Sequence, residues 1–208
     1  SQVSANVDAG FSIVSYTGGG NNSTMGHGLS KAPEMVIVKR TDAVQSWYVY
    51  VNNITATNQI MLLNSTTQVA TNPSVTIWQI PTATTIGAGT SGAVSTGDFI
   101  AYAFHSVDGY SKIGSYVGTG ATGNTIVTGF EPAFVMIKRT NGTSDWNMWD
   151  NRRGNQSILW ANGSNQEATN SAYEIIFNSN AFTVNATANF ANGSGDSYIF
   201  MAFAADPT

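Results

Sequence analysis

The chain has 208 residues and a net charge of −4; 10% of its residues are charged and 42% hydrophobic, and it contains no cysteine. Eight Lys and Arg spread without a basic stripe argue against nucleic-acid binding, which needs cations to neutralise phosphates. No apolar run approaches the roughly 18 residues of a membrane helix, so membrane insertion is not expected. Disulfides and thiolate metal sites are excluded outright. The size fits one large sandwich or two domains of about 100 residues, and the missing charge is replaced by Asn, Thr, Ser and Gly, the residues of strands and turns.

In chain order, Ser1–Ala9 are polar and show no charged-then-apolar signal pattern; they are expected to be a processed terminus or a boundary within a longer chain. Phe11–Thr17 alternates as a strand, followed by Gly18-Gly19-Gly20 and a short strand over Ser23–His27. Met35–Arg40 and Trp47–Val51 form a hairpin across Thr41–Ser46, in a stretch that reads APEMVIVKRTDAVQSWYVY. Ile60–Leu63 and Ser74–Ile80 are further strands, Pro81–Thr96 a long loop or loosely held strand, and Phe99–Phe104 closes the first unit.

The second half repeats this order. Tyr110–Val117 matches Phe11–Thr17, with Ser15-Tyr16-Thr17-Gly18 aligned on Ser115-Tyr116-Val117-Gly118. Glu131–Trp149, EPAFVMIKRTNGTSDWNMW, restates the hairpin: Pro33 matches Pro132, Lys39-Arg40-Thr41 matches Lys138-Arg139-Thr140, and Trp47 matches Trp146. Ile158–Trp160 matches Ile60–Leu62, each followed by an Asn, at 162 and 64. Tyr173–Phe177 and Phe182–Thr187 pair across Asn178-Ser179-Asn180, and Ser197–Phe203 matches Asp98–Phe104. The period is two throughout, with no helical stripe. The expectation is an all-β fold, an antiparallel β-sandwich of jelly-roll-like type. It is built from two tandem internal repeats, 1–106 and 107–208, packed closely into one unit.

Lys39, Arg40, Lys138 and Arg139 hold half the basic residues and are read as structural cations tethering their turns, with Asp42, Asp98, Asp145 and Asp196 as candidate partners. Trp47 and Trp146 are read as core. Tyr48, Tyr50, Trp149 and Trp160 are candidates for ligand or partner binding, because aromatic faces stack on the apolar side of a sugar while Asn and Asp take its hydroxyls. Asp150, Arg152 and Arg153 join them, since the loop Asp150–Gly154 has no charged equivalent in the first repeat, where Val51-Asn52-Asn53 stands.

No catalytic residue, metal or cofactor is assigned. His27 and His105 lack a partner histidine at zinc spacing, no spaced Asp loop suggests calcium, and Glu34, Glu131, Glu167 and Glu174 show no spacing that singles out a glycosidase pair. The Asn-x-Ser/Thr triplets are discounted as chance products of an Asn-rich chain.

Several stretches resemble a β-rich domain family in tail and fibre proteins of marine and other aquatic bacteriophages. They are GFSIVSYTGGG at 10–20, Gly26 to Leu29, APEMVIVKR at 32–40, WYVY at 47–50, GYSKIGSYVGTG at 109–120, TGFEPAFVMIKRT at 128–140 and YIFMAFAADP at 198–207. The first repeat departs from the family in having Val51-Asn52-Asn53 after its aromatic strand, whereas Asn151–Asn155 resembles the family's Arg-containing loop. ANVDAG at 5–10 is similar to mid-chain sequence there. The resemblance implies a non-enzymatic virion surface protein, a tail fibre or spike domain touching a host-surface glycan or protein. It would be assembled in the host cytoplasm beside other virion proteins and self-associate, commonly as a trimer. The alternatives are a decoration or connector protein of capsid or tail and, third, a polysaccharide-degrading enzyme.

Overall fold

Alternation is visible in the first long strand of the computed structural model, which describes residues 1–205: Val14 and Tyr16 are buried while Ser15 and Thr17 face out. The chain divides into two units, 1–64 with 69–105 and 65–68 with 106–208. All strand pairs are antiparallel. The final Asp206-Pro207 of the family-like closing motif lies outside the described residues.

The first unit contains β1 (Gln2–Asn6), β2 (Phe11–Gly19), β3 (Thr24–Gly26), β4 (Met35–Arg40), β5 (Trp47–Val51), β6 (Gln59–Ile60), β7 (Ala70–Thr71), β8 (Trp78–Gln79) and β9 (Thr85–Ala88). A single helical turn, α1 (Gly92–Ser95), leads into β10 (Thr96–Phe104). A five-stranded sheet runs β1-β2-β10-β4-β5, a small one β3-β9-β8, and β6 pairs with β7. Val14, Val36, Val38 and Phe99 of the large sheet form one core with Met25, Trp78 and Ile86 of the small one.

The second unit has β11 (Ser111–Val117), β12 (Asn124–Val127), β13 (Pro132–Arg139), β14 (Trp146–Asp150), β15 (Ser157–Trp160), β16 (Ala168–Thr169), a 3₁₀ turn at Ser171–Tyr173, β17 (Ile175–Asn178), β18 (Ala181–Val184) and β19 (Ser197–Ala204). Its sheets run β11-β19-β13-β14-β15-β16 and β12-β18-β17. Phe182, fully buried from the small sheet, meets Phe200 of the large one edge-on at 5.2 Å. Each such aromatic contributes about 1.5–3 kcal/mol through burial.

The repeated motifs build equivalent joints in both units. Tyr16 and Tyr116 donate their hydroxyls to Val94 O (3.3 Å) and Ala191 O (2.6 Å). Two residues on, Gly18 and Gly118 let the backbone approach so closely that a Cβ would stand 2.2 Å from Ser95 O or Gly193 O. Thr41 and Thr140 donate hydroxyls to Asp98 O and Ser197 O, both at 3.1 Å. Asn64 and Asn162 accept from the backbone N–H of Trp47 and Trp146 at 2.9 and 2.7 Å. Asn72 N–H to Asn58 O is matched by Asn170 N–H to Gln156 O.

The units differ at one sheet edge. In the first, β1 covers β2 along a five-residue ladder. The sequence pattern leaves this strand unseen, because all five residues are exposed and none enters the core. In the second, side chains cap the corresponding edge of β11: Ser106 Oγ accepts from Ile113 N–H at 2.9 Å, and Asn124 Nδ2 donates to Val117 O at 3.1 Å. Satisfying edge groups in this way discourages unwanted strand addition. Further details differ from the sequence expectation: of Ile60–Leu63 only Ile60 lies in a strand, and β7, β12 and β16 stand where the sequence pattern predicts no strand, short pieces too small to show a period. Only Trp78–Gln79 of Ser74–Ile80 is strand, and the loop Pro81–Thr96 contains both β9 and α1.

Candidate functional site

The aromatic platform expected from the sequence does not form. Tyr50 and Trp149 are 2% and 0% exposed, each within its own unit's core. Trp149 donates Nε1–H to Tyr173 O at 2.9 Å, and Tyr50 lies 5.7 Å from Trp78. Tyr48 is half-buried against the first core, and Trp160 half-buried against the second, edge-on to Tyr173 at 6.5 Å. Period-two alternation separates the faces of a strand but does not say which face another sheet covers; here the face bearing Tyr48 and Tyr50 packs into the first core, and Val49 and Val51 on the opposite face are buried as well. Trp146 is buried, while its equivalent Trp47 remains partly exposed and stacks on Tyr102 at 6.3 Å.

The four paired cations sit in their turns. Lys39 Nζ donates to Gln45 O at 2.7 Å, and Lys138 Nζ donates to Ser144 O and, at 3.0 Å, to Thr66 O. Arg40 pairs with Asp42 at 2.6 Å, and Arg139 with Asp196 at 2.5 Å. Asp98 instead accepts from Thr17 Oγ1. Burial draws the Lys138 ammonium down to about 8, against which nearby Asp145 pulls upward. His27 is fully buried: Nδ1 accepts from Leu29 N–H at 3.1 Å, so Nε2 carries the proton toward Thr82 O at 3.2 Å. His105 is also buried.

The loop after β14 is different in kind. Asp150 Oδ1 accepts from the backbone N–H of both Arg152 and Arg153 at 3.0 Å, folding the turn around the carboxylate. Gly154, at φ +99°, ends the turn in a conformation open mainly to glycine. Arg153 then bridges Asp150 at 2.5 Å and Glu167 at 2.7 Å, while Arg152 points to solvent. Burial alone would raise Asp150, but Arg153 and the two backbone donors hold it below its ordinary value. Glu174 is lowered by hydrogen bonds from Asn185 at 2.6 Å and Gln156 at 3.1 Å. Arg153, Gln156, Ser157, Thr169 and Glu174 line an open groove of about 500 Å³. All its charged members are ionised at neutral pH and already oriented by their partners.

Sequence reasoning found Asp150, Arg152 and Arg153 but not Gln156, Glu167 or Glu174. A signal was present. Gln68-Val69-Ala70-Thr71-Asn72 recurs as Gln166-Glu167-Ala168-Thr169-Asn170, so Glu167 stands where the first repeat has Val69. By the same alignment Glu174 stands for Thr76, and by the alignment of the two hairpins Asp150 stands for Val51. Subtracting one repeat from the other isolates these acids around Arg153. A groove of about 400 Å³ in the first unit overlaps the equivalent position at Thr55, Ala56 and Gln59; it is uncharged and lined also by Tyr50, Asn52 and Asn53. Among the described residues, no group of three or more His, Cys, Asp or Glu is placed to hold a metal, and no helix is long and apolar enough to cross a membrane.

The family model that fits the chain covers residues 1–207. The chain belongs to the family described as a domain of unknown function, DUF7483. No curated protein and no solved structure matches it. The match spans both repeats, so the duplicated arrangement lies within a single family domain.

Proposed function

We propose that this chain is a non-enzymatic surface domain of a bacteriophage virion, a tail-fibre or spike module. In this reading it contributes to host-surface recognition by binding a glycan in the groove around Arg153, Gln156 and Glu174. Each unit is read as a small antiparallel sandwich of jelly-roll-like type, displayed on the virion beside other virion proteins and further copies of itself. The observation that carries the glycan reading is the convergence on one groove of the charges that only the second repeat possesses. Sugar hydroxyls both donate and accept, and charge-assisted hydrogen bonds to fixed carboxylate and guanidinium groups are the strong kind. Side chains already held by Asp150, Glu167 and Asn185 lose little freedom on binding. The virion assignment is supported by the resemblance of the repeated stretches to phage tail and fibre domains.

The second reading, a decoration or connector protein without a receptor ligand, is favoured by the burial of Tyr50 and Trp149, which removes the aromatic stacking surface. Degradation of a polysaccharide is the third, and it requires two carboxyls about 5–9.5 Å apart flanking a scissile bond. Binding of the purified chain to host-surface polysaccharide and to a glycan array separates these readings. Recognition predicts binding that Arg153→Ala and Glu174→Gln weaken at least about tenfold, the scale of one lost charge-assisted bond. Binding that both variants retain, or no binding to any glycan or host surface, sinks the groove as a receptor site. Release of reducing ends from bound polysaccharide would instead establish the enzymatic reading.

A further inference from the structure

The two repeats carry the same lysine turn, and among the described residues only the second is occupied. In the second unit, residues 65–68 are seated on it: Thr66 O accepts from Lys138 Nζ at 3.0 Å and from Ser144 N–H at 2.9 Å. Two donors converge on one carbonyl, and the ammonium beneath is fully buried. In the first unit the equivalent turn is built the same way, with Lys39 Nζ on Gln45 O at 2.7 Å. Yet among the described residues no second carbonyl accepts from Lys39 Nζ. Gln45, the counterpart of Ser144, has no acceptor for its N–H among the described residues. Lys39 and Gln45 are partly exposed, and Val44 at the rim is 101% exposed.

The segment that would fill this socket is identifiable from the repeat. Asn64 and Asn162 hold equivalent tryptophans, so Ser65-Thr66-Thr67-Gln68 corresponds to Gly163-Ser164-Asn165-Gln166. All four of the latter are exposed, and Ser164 O, the counterpart of Thr66 O, has no donor among the described residues. An unused carbonyl loop and an unused two-donor socket thus lie on the same chain, each a copy of a joined pair already present.

We infer that the Lys39–Gln45 turn is a self-association socket, which takes the loop 163–166 of a second copy of this chain with Ser164 O between Lys39 Nζ and Gln45 N–H. The chemistry suits the occupant. The loop is uncharged, so a cation and an N–H meet a carbonyl with no buried charge left unpaired except the one Lys39 already shares with Gln45 O. The contact joins different surfaces of the two copies, so it is heterologous: each added copy presents the same free pair again. Such a contact builds a ring where the rotation closes and a filament where it does not. This inference stands on the repeat geometry and is independent of the glycan reading.

A loop of four residues buries far less than the roughly 1,600 Å² of a standard interface, so the association is weak in dilute solution. Sedimentation velocity with light scattering from about 10 µM to about 1 mM covers the range in which a weak contact appears. The expected result is a mass that rises with concentration beyond the dimer. Ser164→Lys sets a second cation against Lys39, and Lys39→Met removes the donor; each is expected to weaken association at least about tenfold. Mixed one to one, the Lys39→Met copy offers an intact loop to the intact socket of the Ser164→Lys copy, and growth stops at a heterodimer. Far-UV circular dichroism checks folding. Ser164 is exposed, and Val44→Asp on the fully exposed rim replaces Lys39→Met where that variant unfolds. A wild-type chain that stays monomeric throughout, a folded Ser164→Lys variant that assembles like wild type, or a mixture that gives no heterodimer overturns the inference.

Discussion

Replacing Lys138 by Met tests whether the ammonium is as buried as its surroundings indicate. An unfolded lysine keeps its proton to the ordinary value of 10.5, whereas burial lets native Lys138 release its proton at about 8. Between these limits the unfolded state binds more protons, so wild-type stability must rise with pH across this window. At about 1.36 kcal/mol per unit, the span from about 8 to 10.5 corresponds to about 3 kcal/mol as an upper bound. Lys138→Met lacks this contribution. Tyrosine ionisations, including those of Tyr116 and Tyr198, which burial pushes upward, occur in both proteins and cancel in the difference. Urea unfolding of both proteins at pH 7.5, 9 and 10.5 reads the result directly. The wild-type-minus-variant stability is expected to climb by up to about 3 kcal/mol over this range. A difference that is flat or falls with pH would refute the argument, showing that the native ammonium holds its proton as tightly as the unfolded one.

Adjacent glycines give a sharp contrast: a Cβ on Gly18 would stand 2.2 Å from Ser95 O, whereas one on Gly19 meets nothing nearer than 3.9 Å. Gly18→Ala is expected to lose about 3 kcal/mol or more and Gly19→Ala to stay within about 1 kcal/mol, measured by thermal unfolding; equal effects would contradict the close approach. Tyr116→Phe removes the donor to the Ala191 carbonyl and should cost about 1 kcal/mol in the same assay, with no loss counting against it. Burial lowers His27 below its ordinary 6.5, so the unfolded state takes up the proton first. Stability should therefore fall as pH drops below about 6.5 and level off beneath the native value. A His27→Gln variant with the same pH slope as wild type would rule this out.

The sequence by itself determined the all-β class, the long paired strands and the duplication with its recurring residues. Val14 and Tyr16 alternate with Ser15 and Thr17, and Lys-Arg-Thr, Ser-Tyr-x-Gly and the paired Asn64 and Asn162 recur at matching places, where each makes the same hydrogen bonds in both units. The period of two and the turn chemistry are local signals, and the duplication is read by setting one half of the chain beside the other, whatever the distance each joint spans. Where several elements must meet, only the tertiary structure decided the outcome. The exposed strand β1 carries no core residue to betray it. Tyr50 and Trp149 became core because the small sheets cover their faces, a fact that no alternation encodes. Arg153, Glu167 and Glu174 lie apart in sequence and share a site only because β14, β15 and β16 pair side by side. Lys138 and Lys39, identical in their own turns, differ in burial because Thr66, from the other half of the sequence, caps one ammonium and leaves the other open. Long-range pairing, set by the burial of whole faces, made that choice.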